Sequence, residues 1–135
     1  MQLILFEVEQ QKFGFDMSRM KEINRRMPIT PVPNAPFYFE GITNLRGIIV
    51  PIINLRKRLS IAGTDVSLNN KCRIIILEMS GELIGFIVDR VNGVIRVEEE
   101  QILEYEGTGI KREAIRGVVK LQSGMITLLE LERLV

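Results

Sequence analysis

The 135-residue chain has no histidine, no tryptophan, two tyrosines and a single cysteine. Without histidine, the usual general base and the Ser-His and Cys-His nucleophile pairs are absent, so acid and base work would fall to carboxylates or lysines. The acidic residues instead cluster between Glu98 and Glu106, beside turns, with no second carboxylate tied to them by spacing. One cysteine excludes an internal disulfide and, with no imidazole, leaves no zinc cluster, which fits a reducing, cytoplasmic setting. Cys72 opens an apolar segment and reads as a small core side chain. Gly41 and Gly47 are not followed by the Gly-Lys-Ser/Thr of a phosphate-binding loop. The chain therefore has no recognisable catalytic residues, no metal ligands and no cofactor signature.

Other absences narrow the partners. No apolar run approaches the eighteen or so residues that cross a bilayer, and Leu3 to Phe6 is too short for a leader. Direct membrane insertion is excluded on that ground. The formal net charge is +1, with nine basic and six acidic residues in 1–67 against nine and eleven in the remainder. Such a balance exerts no general pull on nucleic acid or anionic lipid. Single-strand binding wants aromatics stacked beside a basic groove, whereas Phe6, Phe13, Phe15 and Phe86 occupy core-like positions and Lys and Arg are scattered. No nucleic-acid partner is expected.

What the chain does have is 46% hydrophobic residues, enough for one compact domain, and a dense central stretch from Gly41 to Leu59, GITNLRGIIVPIINLRKRL. Gly41 to Leu45 and Ile48 to Ile53 read as the two strands of a hairpin, with Gly47 supplying the positive φ of a tight bend. Pro51 cannot donate to a ladder, so its strand should lie on an edge or end there. Asn54 to Leu59 should form a short helical turn, Leu55 and Leu59 sharing one face.

The stretch repeats. A shift of 76 places Gly41 on Gly117, Leu45 on Leu121, Val50 on Ile126, Ile52 on Leu128 and Leu55 on Leu131. A shift of 71 places Leu3–Arg25 on Ile74–Arg96, pairing Glu7 with Glu78, Gly14 with Gly85, Phe15 with Phe86 and Arg19 with Arg90. The chain thus reads as two copies of one small all-β unit, approximately 1–66 and 67–135, sharing a core because neither half has much interior alone. Arg46 and Gly47 break the symmetry, since their counterparts are Gln122 and Ser123.

Leu3 to Val8 and Lys12 to Asp16 read as a hairpin turning at Gln10-Gln11, and Asp16 or Ser18 can cap a short turn before a strand from Lys21 to Met27. Pro28, Pro31, Pro33 and Pro36 then carry ITPVPNAP across the surface in extended form, outside any ladder. Ser60 to Asn70 reads as the linker between copies. Lys71 to Met79, Leu83 to Val88 and Gly93 to Val97 repeat the opening, with RIIIL a strand buried on both faces. Glu98 to Glu100 either starts a helical turn toward Ile102-Leu103 or, more commonly for such a run, is solvated, and Gly107 to Gly109 reads as a bend. Ile115 to Leu121 and Met125 to Leu131 close the second unit.

These residues carry a resemblance. EGITNLRGIIVPIINLRKRL after a Pro-rich approach is similar to the central signature of the CheW-like family of chemotaxis coupling proteins: a glycine, NLRG, a hydrophobic run ending in Pro, and DLR. KFGFDMSRMKEI resembles the family's first hairpin and ELIGFIVDRVNGVI its later segment, so nearly the whole chain is covered. One departure is Asn54, where the family usually has Asp. The resemblance implies two intertwined five-stranded SH3-like barrels in a single CheW-like domain spanning 1–135, with a few short helical turns and possible strand exchange between the halves. It implies a noncatalytic cytoplasmic adaptor, recruited to membrane-associated receptor arrays. There it would link the cytoplasmic tip of methyl-accepting chemotaxis receptors to the regulatory domain of a CheA-type histidine kinase. Carried over by motif, Met20, Ile23 and Arg46 would face the receptor, and Val32, Asn44 and Gly47 lie near the expected kinase surface. The competing reading is a ligand-binding β-barrel unrelated to chemotaxis, in which Arg46 holds a small anion.

Overall fold

The computed structural model describes residues 1–63, 70–105 and 112–135. Eleven strands run in chain order as β1 (Gln2–Val8), β2 (Gln11–Asp16), β3 (Met20–Asn24), β4 (Phe39–Leu45), β5 (Ile48–Asn54), β6 (Arg73–Met79), β7 (Glu82–Val88), β8 (Arg90–Arg96), β9 (Ile102–Leu103), β10 (Ile115–Leu121) and β11 (Gly124–Leu129). One helical turn, α1 (Leu55–Arg58), and several 3₁₀ turns complete the all-β fold. The strands form a six-stranded sheet, ordered β8-β1-β2-β11-β10-β9, and a five-stranded sheet, ordered β3-β6-β7-β5-β4. The sixth strand of the first sheet is the two-residue β9, which pairs with Val118 and Val119. It follows a 3₁₀ turn at Glu99–Gln101 in which the Glu98 N–H donates to Gln101 Oε1 at 2.7 Å, so the acidic run starts a helical turn toward Ile102 while its side chains stay exposed.

The sheets exchange hairpins. The β1–β2 hairpin joins the strands from Arg90 onward, and the β6–β7 hairpin joins β3, β4 and β5. Each exchange is sealed by a parallel pairing, Ile52 with Gly85 in one sheet and Leu128 with Gly14 in the other. Those four residues correspond under the two sequence shifts, Ile52 to Leu128 and Gly14 to Gly85. Even the bulges correspond: the extra residue is Lys21 in β3 and Asn92 in β8, again separated by 71.

Three apolar clusters follow from this weave. Leu45, Val50, Ile52, Ile74 and Ile76 fill one sheet, and Leu3, Val97, Val119 and Leu128 the other. The largest cluster lies between them and draws on both ends of the chain, from Ile4, Phe6, Phe13 and Phe15 to Ile75, Phe86, Leu129 and Leu134. Phe6, Phe15 and Phe86 form its aromatic spine, with ring centroids 4.9 and 5.4 Å apart, within the range where tilted rings attract. Ile74 to Leu77 are all buried, as a strand covered on both faces should be. Cys72 is buried too.

Several expectations need correction. The first hairpin turns at Glu9-Gln10, one residue earlier, because both adopt the positive φ of a two-residue primed turn, 50° and 65°. The strand after it ends at Asn24, not Met27, and β8 begins at Arg90 because Arg90 and Val91 still pair with Glu7 and Phe6. Pro51 neither ends its strand nor sits on an edge strand: β5 continues to Asn54, but pairing with β7 starts only at Ile52, so Pro51 is paired on one side alone. The proline-rich segment enters no strand, but it makes one isolated bridge to β4. Thr30 exchanges two backbone hydrogen bonds with Ile42, at 2.8 and 2.9 Å, since Ile29 and Thr30 are the non-proline residues between Pro28 and Pro31. Gly41 makes that approach possible, for a Cβ there would stand 2.1 Å from the Thr30 carbonyl oxygen. Most of the interval from Ser60 to Asn70, and the bend at Gly107–Gly109, lie outside the described residues.

Candidate functional site

The β4–β5 hairpin reaches past the sheet because its parallel partner β7 engages it only from Ile52 onward. Before that point β5 and β7 part, and the gap between their hairpin tips is a groove of about 660 Å³. Leu45, Ile48, Ile49 and Pro51 form one wall, Glu78, Gly81, Glu82 and Leu83 the other, and Lys21 and Glu22 of β3 close it. Ile48 and Ile49, 52% and 58% exposed, are among the largest apolar side chains left uncovered. Both precede Ile52, where the pairing of β5 with β7 begins, so no neighbouring strand covers them on that side.

Arg46 sits at the tip. The turn is Arg46-Gly47, with φ of 51° and 89°, the left-handed pair of a two-residue hairpin turn. Asn44 Oδ1 accepts the Gly47 N–H at 2.7 Å and fixes the turn. The Arg46 side chain, 71% exposed, reaches across the groove and ion-pairs with Glu22. That hydrogen bond, and next one from Asn24, hold the Glu22 carboxyl below the usual carboxylate range. Lys21 pairs with Glu78 at 3.2 Å along the same floor.

On the other side of the same hairpin lies a shallower depression of about 280 Å³, lined by Pro28, Thr30, Ile42, Thr43, Asn44 and Ile49. The proline-rich approach forms its far wall, anchored by the Thr43 hydroxyl donating to the Pro28 carbonyl at 2.7 Å. One hairpin therefore presents two faces, with Ile49 shared between them.

The residues singled out in the sequence distribute unevenly over this geometry. Arg46 lines the groove and Asn44 the outer depression, while Gly47 is the turn between them, with open space where a side chain would stand. Val32 is exposed on the proline-rich segment. Met20 and Ile23, by contrast, are half-buried and pack on the large core cluster, and it is Lys21 and Glu22 of that strand that reach the groove. The motif carry-over names Met20 and Ile23 alone, whereas the bulge at Lys21 shifts the alternation of β3 and brings Lys21 and Glu22 to the groove. Ile48, Ile49 and Leu83 were read only as strand residues. The place of all three at the groove, with Ile48 and Ile49 exposed and Leu83 half-buried, follows from where β5 and β7 separate, which no local pattern encodes.

Asn54, the departure from the usual aspartate, is buried and caps α1: its Oδ1 accepts the Lys57 N–H at 3.3 Å. An amide oxygen serves that purpose without a charge. Among the described residues no group of acidic, cysteine or histidine side chains could hold a metal ion. No helix among them is long and apolar enough to cross a membrane.

Comparison with known proteins agrees with this fold. The family model described as "CheW-like domain" matches residues 2–135. The chain is 34% identical to a chemotaxis protein CheW from Treponema pallidum, over 98% of this chain and 81% of that protein. It is 31% identical to one from Thermotoga maritima, over 99% and 87%. The crystal structure of the scaffolding protein TtCheW from Thermoanaerobacter tengcongensis superposes with a TM-score of 0.91 at 34% identity, covering 98% of this chain and 90% of that one. With the two hairpin-exchanged sheets in place and the family model matched from the second residue to the last, the chain belongs to the CheW-like domain family.

Proposed function

We propose that this protein is a noncatalytic chemotaxis adaptor, a scaffold that couples the cytoplasmic tip of chemoreceptors to the regulatory domain of a CheA-type histidine kinase. In that role it works in the cytoplasm at receptor arrays. The observation that supports this best is the β4–β5 hairpin, whose two faces offer two adjoining surfaces and no reactive group. An adaptor needs such surfaces, each burying apolar area reversibly. A micromolar contact is worth only about −8 kcal/mol, which an interface of roughly 1,200–1,600 Å² supplies.

In this reading the groove takes the receptor, with Arg46 at its mouth and Ile48, Ile49 and Leu83 as apolar walls. Met20 and Ile23 back that surface from β3 and do not line it. The outer face, with Asn44, Val32 on the proline-rich approach and Gly47 at the tip, takes the kinase domain. Splitting the partners between faces of one hairpin keeps them within contact distance of each other, as a coupling device requires. The test is a binding titration with Arg46→Glu. Reversal places a carboxylate opposite Glu22, removes the ion pair at the groove mouth, and is expected to weaken receptor binding tenfold or more, about 1.4 kcal/mol per factor of ten. Unchanged receptor affinity would take Arg46 out of the interface.

A further inference from the structure

The charges lining the groove are almost all neutralised by one another, and the exception specifies the partner. Arg46 pairs with Glu22 and Lys21 with Glu78. Glu82, exposed at the first position of β7, has no cation within ion-pair distance among the described residues. Two cations against three carboxylates leave the groove with one net negative charge, and that charge lies next to Leu83, facing the wall that carries Ile48 and Ile49. The Arg46 charge is already balanced within the groove by Glu22, which accepts from one guanidinium nitrogen, so it is not the group that calls for a counter-charge. We infer that the groove selects a partner segment presenting a lysine or arginine flanked by apolar side chains, the cation meeting Glu82 and the apolar groups covering Ile48, Ile49 and Leu83.

This rests on the reading of the groove as a docking surface and adds what decides the choice of partner. A solvated carboxylate at a turn is ordinary; one in a groove with the exposed Ile48 and Ile49 and the half-buried Leu83, where the other charges are paired, gains a partner only from an incoming cation. Burial against apolar groups would make that contact stronger than a typical exposed ion pair.

Two measurements separate the inference from the adaptor reading. The first is the affinity of the full chain for a receptor cytoplasmic fragment, with Glu82→Gln and Glu82→Lys compared with the unaltered protein. Glu82→Gln should weaken binding severalfold, Glu82→Lys by more than tenfold, with unchanged melting temperature and unchanged affinity for the kinase regulatory domain. The second uses no receptor: NMR titration of the full chain with the capped tripeptides Leu-Arg-Leu and Leu-Glu-Leu. The arginine peptide should shift the methyl signals of Ile48, Ile49 and Leu83, and Glu82→Lys should abolish the shifts. If the receptor fragment does not bind at all while the arginine peptide still shifts these methyls, the adaptor reading fails and the cation preference stands. Equal shifts with both peptides, or equal receptor affinity for all three proteins, would overturn the inference.

Discussion

Glu22 and Arg46 share the best-defined polar contact at the groove, and its consequence is measurable proton by proton. Because Arg46 and then Asn24 hydrogen-bond the Glu22 carboxylate, its folded pKa lies below the ordinary value. A carboxyl whose pKa falls on folding contributes stability above its unfolded pKa and loses it as the pH drops through the lower, folded value. NMR titration should therefore find Glu22 titrating below the exposed glutamates, and Arg46→Ala should move it back toward them. An unshifted Glu22 in both proteins would mean the pair does not persist in solution. The pair is exposed, so Arg46→Ala is expected to leave stability against chemical denaturation nearly unchanged. Asn54 offers a contrast. Its amide caps α1 from a buried position, and Asn54→Ala should destabilise the protein by about 1 kcal/mol, the ordinary value of a lost cap, checked by the same denaturation.

At the scale of elements, the hairpin and the segment lying on it depend on one glycine. Gly41 has a φ of 141° and leaves room for the Thr30 carbonyl where a Cβ would collide with backbone, which cannot yield as a side-chain tip can. Gly41→Ala should therefore break the Thr30–Ile42 bridge, detach the proline-rich segment from β4, and cost about 1–3 kcal/mol, the usual range for forced backbone strain. Loss of hydrogen-exchange protection at Thr30 and Ile42, with β10–β11 protected as before, would show it; retained protection would mean the backbone accommodates the methyl. This element also marks how far the sequence could be read. The hairpin, its glycine turn, α1 and the duplication were legible because each rests on local pattern: β-branched runs, Gly47, the spacing of Leu55 and Leu59, and self-similarity at fixed shifts. The Thr30 bridge was not, because four prolines mask two good hydrogen-bonding residues. Nor was the place of Pro51 inside an unbroken β5, where a ladder open on one side accommodates a missing N–H. The groove was half legible. Arg46 stood out through its broken symmetry, but Lys21, Glu22, Glu82 and Leu83 come together only through the pairing of β3, β6, β7 and β5, contacts between segments far apart in sequence.

For the whole molecule, the exchange of hairpins means that residues 1–66 contain no complete sheet, and neither do residues 67–135. The central cluster takes Phe6 and Phe15 from one side and Phe86 and Leu129 from the other, so each half alone would expose most of it. Separate polypeptides of 1–66 and 67–135 should show no cooperative melting on their own, whereas the intact chain should unfold in a single transition; cooperative melting of either half would contradict the shared core. The function proposed for that assembled molecule is bridging, and bridging has a direct measurement. Membranes or soluble assemblies carrying a chemoreceptor cytoplasmic fragment are sedimented with a CheA-type kinase, with and without this protein. The account predicts that the kinase pellets in proportion to the added protein, and that Arg46→Glu abolishes the effect while the variant remains folded. A kinase that stays in the supernatant at every concentration of the intact protein would contradict it.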